Sequence, residues 1–231
     1  MPAGHVIYSS RDFRSKASSS NDITGAQGWE PYESRYTNTL TQMADMSALG
    51  TGPSMMRYTF PAGLVSGNGP ASMMYKITDQ TARSVYVSTW VRFSPNWEHH
   101  TKIYYVNWNG GSYIIRVNSR SAGLLDLSVR PNHSGFLSGP TNIGAGGRPL
   151  KAGQWHLIEF YMKLSSSPNA PDGEVKVWID GALAANETAW PLPGTGPFTD
   201  VKYSPIYGGT NQVPVPVVMT MDVDHVVVAG K

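Results

Sequence analysis

The sequence contains no cysteine, which excludes disulfides, metal–thiolate sites and a cysteine nucleophile. Charge is sparse too: 15% of the residues are Asp, Glu, Lys or Arg, against roughly 25% in typical soluble domains. The formal net charge is +2. Lys and Arg are scattered, so the basic stripe of a nucleic-acid binder is missing. No run approaches the roughly 18 apolar residues of a membrane helix, and no membrane partner is expected. Met1 is followed by Pro-Ala-Gly-His, without the charged start and apolar stretch of a signal peptide. The expectation is a secreted protein whose leader is absent from this sequence. No Gly-x-Ser-x-Gly, P-loop, dinucleotide or His-x-x-x-His pattern occurs. Glutamate is scarce, at positions 30, 33, 98, 159, 174 and 187.

Turn formers and aromatics fill the gap. There are 24 Gly, 17 Pro, 12 Tyr and 7 Trp. Between the turns, apolar and polar residues alternate with the period of a half-buried strand. In SVYVSTWVRFS, Val85, Val87, Thr89, Val91 and Phe93 oppose Tyr86, Ser88, Trp90 and Arg92. WHLIEFYMKL, EVKVWIDG, LLDLSVR and VVMTMDVDHVVVAG repeat the pattern, and 54–60, 71–77, 102–108 and 112–118 read as further strands. Residues 161–181 read as a long hairpin and 186–216 as an irregular connection. Residues 1–50 read as irregular strands and loops, with one short helix over 39–49. Many short strands and almost no helix predict an all-β fold: two antiparallel sheets packed as a β-sandwich, with a jelly roll suited to a single domain over 1–231.

The faces of these strands carry the functional signal. Strict alternation in KIYYVNW puts Lys102, Tyr104, Val106 and Trp108 on one face, opposite Ile103, Tyr105 and Asn107. Arg116 and Asn118 share a face of the next strand, and Asp126 and Arg130 share one of the strand after. Trp90, Arg92, Trp108, Asn118 and Arg130 are candidate sugar-binding residues. Aromatic rings stack on pyranose faces, amides and guanidinia bond hydroxyls, and cations pair with uronate carboxylates. Ordinary amphipathic sheet surface explains any one of them equally well.

A glycosidase needs two carboxylates flanking the bond. No Glu-x-Asp-x-x-Glu run exists, which leaves Glu98 with Glu159 as the pair to consider. β-Elimination needs other parts: a cation on the carboxylate, a base for the C5 proton, and an acid for the leaving oxygen. His100, Lys102, Tyr104 and Arg116 supply that material within twenty residues. Asp222 and Asp224 alternate onto one strand face and are candidate ligands for a structural calcium. No cofactor is otherwise required. Asp172 and Asp180 read as turn residues.

GQWHLIEFYMKL and DGEVKVWIDGAL resemble the paired hairpin strands of concanavalin A-like jelly rolls. That superfamily includes lectin domains, laminarinases and the heparin, alginate and glucuronan lyases. VSTWVRFSPNW, and PIYGGT with MDVDHVVVAG, are similar to strands of its polysaccharide-lyase-like members. The resemblance spans roughly residues 85–230 and specifies fold more than activity. Lys102-Ile103-Tyr104 sits where alginate lyases carry Gln-Ile-His, and Tyr207 and Gln212 sit where they carry a Tyr and a Gln. The resemblance implies that Lys102 neutralises the substrate carboxylate, Tyr104 or Tyr207 acts as base and acid, and Arg116 adds a second cation. The favoured expectation is a monomeric polysaccharide lyase acting on an acidic glycan. A non-catalytic carbohydrate-binding module or lectin, and a structural or adhesion jelly roll, stay open.

Overall fold

A computed structural model of the chain describes residues 1–11, 29–33, 40–44, 54–121, 123–131, 143–144, 148–167, 170–190, 196–209 and 213–231. The described residues contain strands and no helix. In chain order the strands are β1 (Val6–Arg11), β2 (Trp29–Glu33), β3 (Leu40–Ala44), β4 (Ser54–Phe60), β5 (Ser72–Lys76), β6 (Ser84–Phe93), β7 (Thr101–Trp108) and β8 (Gly111–Ser121). They continue as β9 (Leu124–Pro131), β10 (Ile143–Gly144), β11 (Leu150–Lys151), β12 (Trp155–Lys163), β13 (Gly173–Ile179), β14 (Ala182–Trp190), β15 (Phe198–Tyr207) and β16 (Met219–Gly230).

Two antiparallel sheets result. Sheet A runs β14-β13-β12-β6-β16-β4-β3, with β1 also paired to β16. Sheet B runs β10-β9-β8-β7-β15-β5-β2, with β11 also paired to β9. One apolar core lies between them. Sheet A contributes Val85, Val87, Val91, Phe160 and Val223, and sheet B contributes Tyr104, Val106, Tyr113, Ile115 and Tyr203. The alternation of the central strands sends these side chains inward and leaves a polar face outside. The two-sheet sandwich read from the sequence is therefore present.

The hairpin over 161–181 is present as β12 and β13, joined in register from Lys163↔Glu174 to Ile158↔Ile179. Asp172 and Asp180 do turn work. Asp172 accepts the Ser166 N–H at 2.9 Å. Asp180 and Gly181 take φ of 52° and 76° between β13 and β14, the left-handed pair that a tight hairpin needs. Two readings are corrected. Leu40–Ala44 is not helical but pairs with β4: LTQMA satisfies a sheet edge as readily as a turn of helix. Residues 186–216 are not one irregular connection, because β15 crosses the middle of sheet B. Pro205 disguised it. This proline sits in the irregularity between Tyr203 and Ile206, where its missing N–H costs the ladder nothing.

Candidate functional site

The outer face of sheet B is built from β15, β7, β8 and β9. Cross-strand register places Ile206, Lys102, Arg116 and Ser128 in one row. Lys202, Tyr105, Ile114 and Arg130 form the next. Paired residues in such rows have Cα atoms about 4.5–5.5 Å apart. Lys102, Arg116 and Arg130 therefore make a compact cluster of positive charge. Burial lowers the Lys102 pKa, and the charges of Arg130 and Arg116 lower it further. Burial, then Arg130, lowers that of Arg116. Lys102 and Arg116 are thus each harder to charge beside the neighbouring guanidinium groups. Such crowding marks a site shaped for an anion more often than a site shaped for stability.

Polar groups hold the cluster. Arg116 Nε donates to Ser128 Oγ at 3.0 Å, and Asn118 Nδ2 donates to the same oxygen at 3.3 Å. Lys202 Nζ lies 5.9 Å over the Tyr105 ring. Asn107 donates to Asp200 farther along the face. His100 immediately precedes β7. His99 adopts a left-handed φ of 62° just before β7, and its ring meets Tyr207 edge-on at 5.8 Å. The Gly208 N–H donates to the His100 carbonyl at 2.8 Å. A Cβ at Gly209 would lie 3.1 Å from His100 Nε2, so the glycine makes room for the imidazole. Burial lowers the His100 pKa, and the Arg116 charge adds to the effect. Beside the cluster, a cavity of about 150 Å³ is lined by Gly67, Gly69, Ser72, Lys202, Ser204 and Ile206.

His100, Lys102, Arg116, Asn118 and Arg130 are thus brought to one surface. Tyr104 is not. Ile103 is an extra residue in β7, because Lys102 pairs with Arg116 while Tyr104 pairs with Ile115. This bulge breaks the alternation. It leaves Lys102 outside and turns Tyr104, Val106 and Trp108 into the core. Tyr104 is fully buried, stacked on Tyr203 at 5.1 Å. Burial drives its pKa well above 10, and the side chain lies in the core, away from the face that carries Lys102. Trp108 stacks on Tyr113 at 5.6 Å inside the sandwich and offers no face to a sugar. Tyr207 is likewise a core residue. Gln212 lies outside the described residues. The tyrosine missed by strict alternation is Tyr105, on the same face as Lys102. The doubled Tyr104-Tyr105 was the available signal: either register turns one tyrosine outward.

Other candidates belong to sheet A. Trp90 and Arg92 lie on its outer face, on the opposite side of the sandwich from Lys102. Asp222 does not fit a calcium site. Its two oxygens are taken by Arg57 Nε at 2.6 Å and Arg92 Nη2 at 2.9 Å. Asp224 accepts the His225 N–H at 2.8 Å. Among the described residues no group of three or more His, Asp or Glu could hold a metal ion. The glycosidase pair also fails to assemble. Glu159 is bonded by Tyr86 on sheet A, and Glu98 lies in the loop between β6 and β7.

Solved structures share this architecture. Alginate lyase Aly36B matches with a TM-score of 0.68 and 17% identity, over 96% of this chain and 97% of its own. An endo-β-1,4-glucuronan lyase from the fungus Trichoderma reesei matches at 0.67 and 14%, over 98% and 96%. The chain has the polysaccharide-lyase-like jelly-roll fold. Alginate lyase vAL-1 from Chlorella virus matches this jelly roll at 0.64 and 13%, over 98% and 100%. No family model matches the chain, and no curated protein does.

The burial of Tyr104 yields a sharp control. Its hydroxyl has no hydrogen-bond partner among the described residues. Tyr104→Phe is expected to leave any activity of this surface within twofold. Stability is expected to hold or rise by up to about 1 kcal/mol. Thermal unfolding and a steady-state assay check both, and a hundredfold loss of activity with unchanged stability would restore Tyr104 to the site.

Proposed function

We propose that the chain is a polysaccharide lyase that cleaves a uronate-containing glycan by β-elimination on the outer face of sheet B. The observation that carries this reading is the convergence of Lys102, Arg116 and Arg130 with His100 and Tyr105 on one surface. Elimination next to a carboxylate builds negative charge on that carboxylate as the C5 proton leaves. In this reading Lys102 and Arg116 neutralise it, which acidifies the proton. His100, held toward its neutral form, is the base. Tyr105 is the acid that protonates the leaving oxygen. Arg130, Asn118 and Lys202 hold neighbouring sugar units. Structures of similar fold named as alginate lyase are described in complex with alginate trisaccharide and tetrasaccharide, which supports a uronate polymer as the substrate. An extracellular location fits such a substrate.

The direct test is the ultraviolet absorbance of the unsaturated uronate, measured on alginate, glucuronan, pectate, hyaluronan, heparin and ulvan. A rise on one polymer supports the proposal. No rise on any, with retardation on an affinity gel of one of them, replaces the lyase with a binding module on the same face.

With His100 as base and Lys102 as the neutralising cation, the pKa directions imply a pH profile. His100 has a folded pKa below 6.5, so it gains its proton only at lower pH than usual. Product formation therefore rises with pH along an acid limb centred below 6.5. Lys102 has a pKa below 10.5, so its charge is lost early on the alkaline side and activity falls along a limb centred below that value. The profile of kcat/KM for the wild type against His100→Asn checks the assignment. The acid limb vanishes in the variant if His100 is the base and survives if another group is.

A further inference from the structure

Opposite the cationic face, the outer surface of sheet A has another character. Lys176, Tyr161, Tyr86 and Ala229 form one cross-strand row, and Trp178, Glu159 and Ser88 form the next. Tyr86, Tyr161 and Ala229 make a small apolar cluster separate from the main core, with Trp178 packed against it. A cavity of about 360 Å³ opens over this cluster, between Trp178, Tyr86, Tyr161, Glu159 and Lys176, with Met1 and Pro2 along its rim. That volume falls within the range of small-ligand pockets, about 300–1,000 Å³.

The polar groups in it are pre-oriented. Tyr86 donates to Glu159 Oε1 at 2.5 Å, which fixes the carboxylate. Lys176 Nζ lies 5.6 Å over the Tyr161 ring and donates to Glu174 at 2.7 Å. Lys163 reaches the other Glu174 oxygen at 3.2 Å. Glu174 thus holds both ammonium groups from beside the cavity, while the lining itself carries one carboxylate, Glu159, and one ammonium, Lys176, so its charge balances. A polyanion gains little here and would bring its carboxylates against Glu159. A neutral pyranose fits both features. Its apolar face stacks on an aromatic ring, and its hydroxyls donate to a carboxylate and accept from an ammonium.

We propose that this cavity is a second, non-catalytic saccharide site for a neutral hexose chain, formed by Trp178, Tyr86, Tyr161, Glu159 and Lys176. It is independent of the chemistry on sheet B. The protein would then hold a neutral glycan on one face while acting on an acidic one with the other.

Calorimetric titration of the full chain with cellotetraose, mannotetraose, laminaritetraose and a tetrauronate tests this. At least one neutral tetraose is expected to bind. Trp178→Ala and Glu159→Gln are each expected to weaken it roughly tenfold or more, and Lys102→Ala to leave it unchanged. If circular dichroism shows Trp178→Ala to be unfolded, Glu159→Gln and Lys176→Ala decide. The proposal is overturned if no neutral tetraose binds up to about 10 mM. It is equally overturned if the tetrauronate binds in a manner sensitive to Glu159→Gln, or if neutral binding is lost with Lys102→Ala but kept without Trp178. None of these results depends on whether sheet B cleaves anything.

Discussion

Lys102→Ala is expected to slow the formation of unsaturated product by roughly a hundred- to a thousandfold, the usual loss when one pre-oriented charge is removed from a developing anion. The loss falls mainly on kcat. Lys102 sits beside Arg116, in a row whose outer members are Ile206 and Ser128. Its ammonium is part-buried, and burial strengthens its pull on charge that appears in the transition state. Arg130 is more exposed. Arg130→Ala is therefore expected to raise KM more than it lowers kcat, since an exposed cation binds ground and transition states alike. Tyr105→Phe removes the proposed proton donor and is expected to cost roughly a hundredfold or more in kcat. Steady-state kinetics on the polymer that gives product separate these cases. Equal, small losses from Lys102→Ala and Arg130→Ala would mean that the cluster merely attracts the polymer, and the elimination chemistry would have to be placed elsewhere.

The same residues show what a sequence can and cannot reveal. The inward faces of β6, β12 and β13 follow strict alternation, so Val87, Phe160 and Val177 were legible as core. A period of two fixes a strand wherever no residue is inserted. The candidate site lies where that rule fails. One extra residue, Ile103, shifts the phase of β7 midway, so strict alternation kept Lys102 and Tyr104 on one face where the structure puts Lys102 outside and Tyr104 in the core. Bulges gather near such sites because they re-aim single side chains, and nothing in KIYYVNW announces one. Sheet membership was also hidden. Trp90 and Lys102 are twelve residues apart in the chain, yet the crossover from β6 to β7 carries them to opposite sides of the sandwich. Asp222 and Asp224 were legible as neighbours. Their partners were not, because Arg57 lies 165 residues away in sequence from Asp222.

Asp222→Ala is expected to destabilise the fold by about 3 kcal/mol, the low end for breaking a buried ion pair. Thermal unfolding should then shift down by roughly 6–12 °C for a chain of this size. Asp222 is 1% exposed. It lies directly across β16 from Arg57 on β4 and from Arg92 on β6. The Arg92 guanidinium in turn covers the ring of Trp155 on β12 at 4.8 Å. One carboxylate therefore ties four adjacent strands in the middle of sheet A. Its removal leaves two cations facing each other, but their side chains keep 24% and 22% exposure. Water relieves part of the cost, which places the loss at the low end of the range. A triple replacement, Arg57→Met with Arg92→Met and Asp222→Leu, is expected to recover most of the loss, since it removes the charges together with their desolvation cost. Because both Asp222 oxygens are held by guanidinium groups, adding calcium or EDTA is expected to leave the unfolding temperature of the wild type unchanged. A loss below about 1 kcal/mol in Asp222→Ala would class the network with exposed pairs, and a calcium-dependent rise in unfolding temperature would return Asp222 and Asp224 to the role of metal ligands.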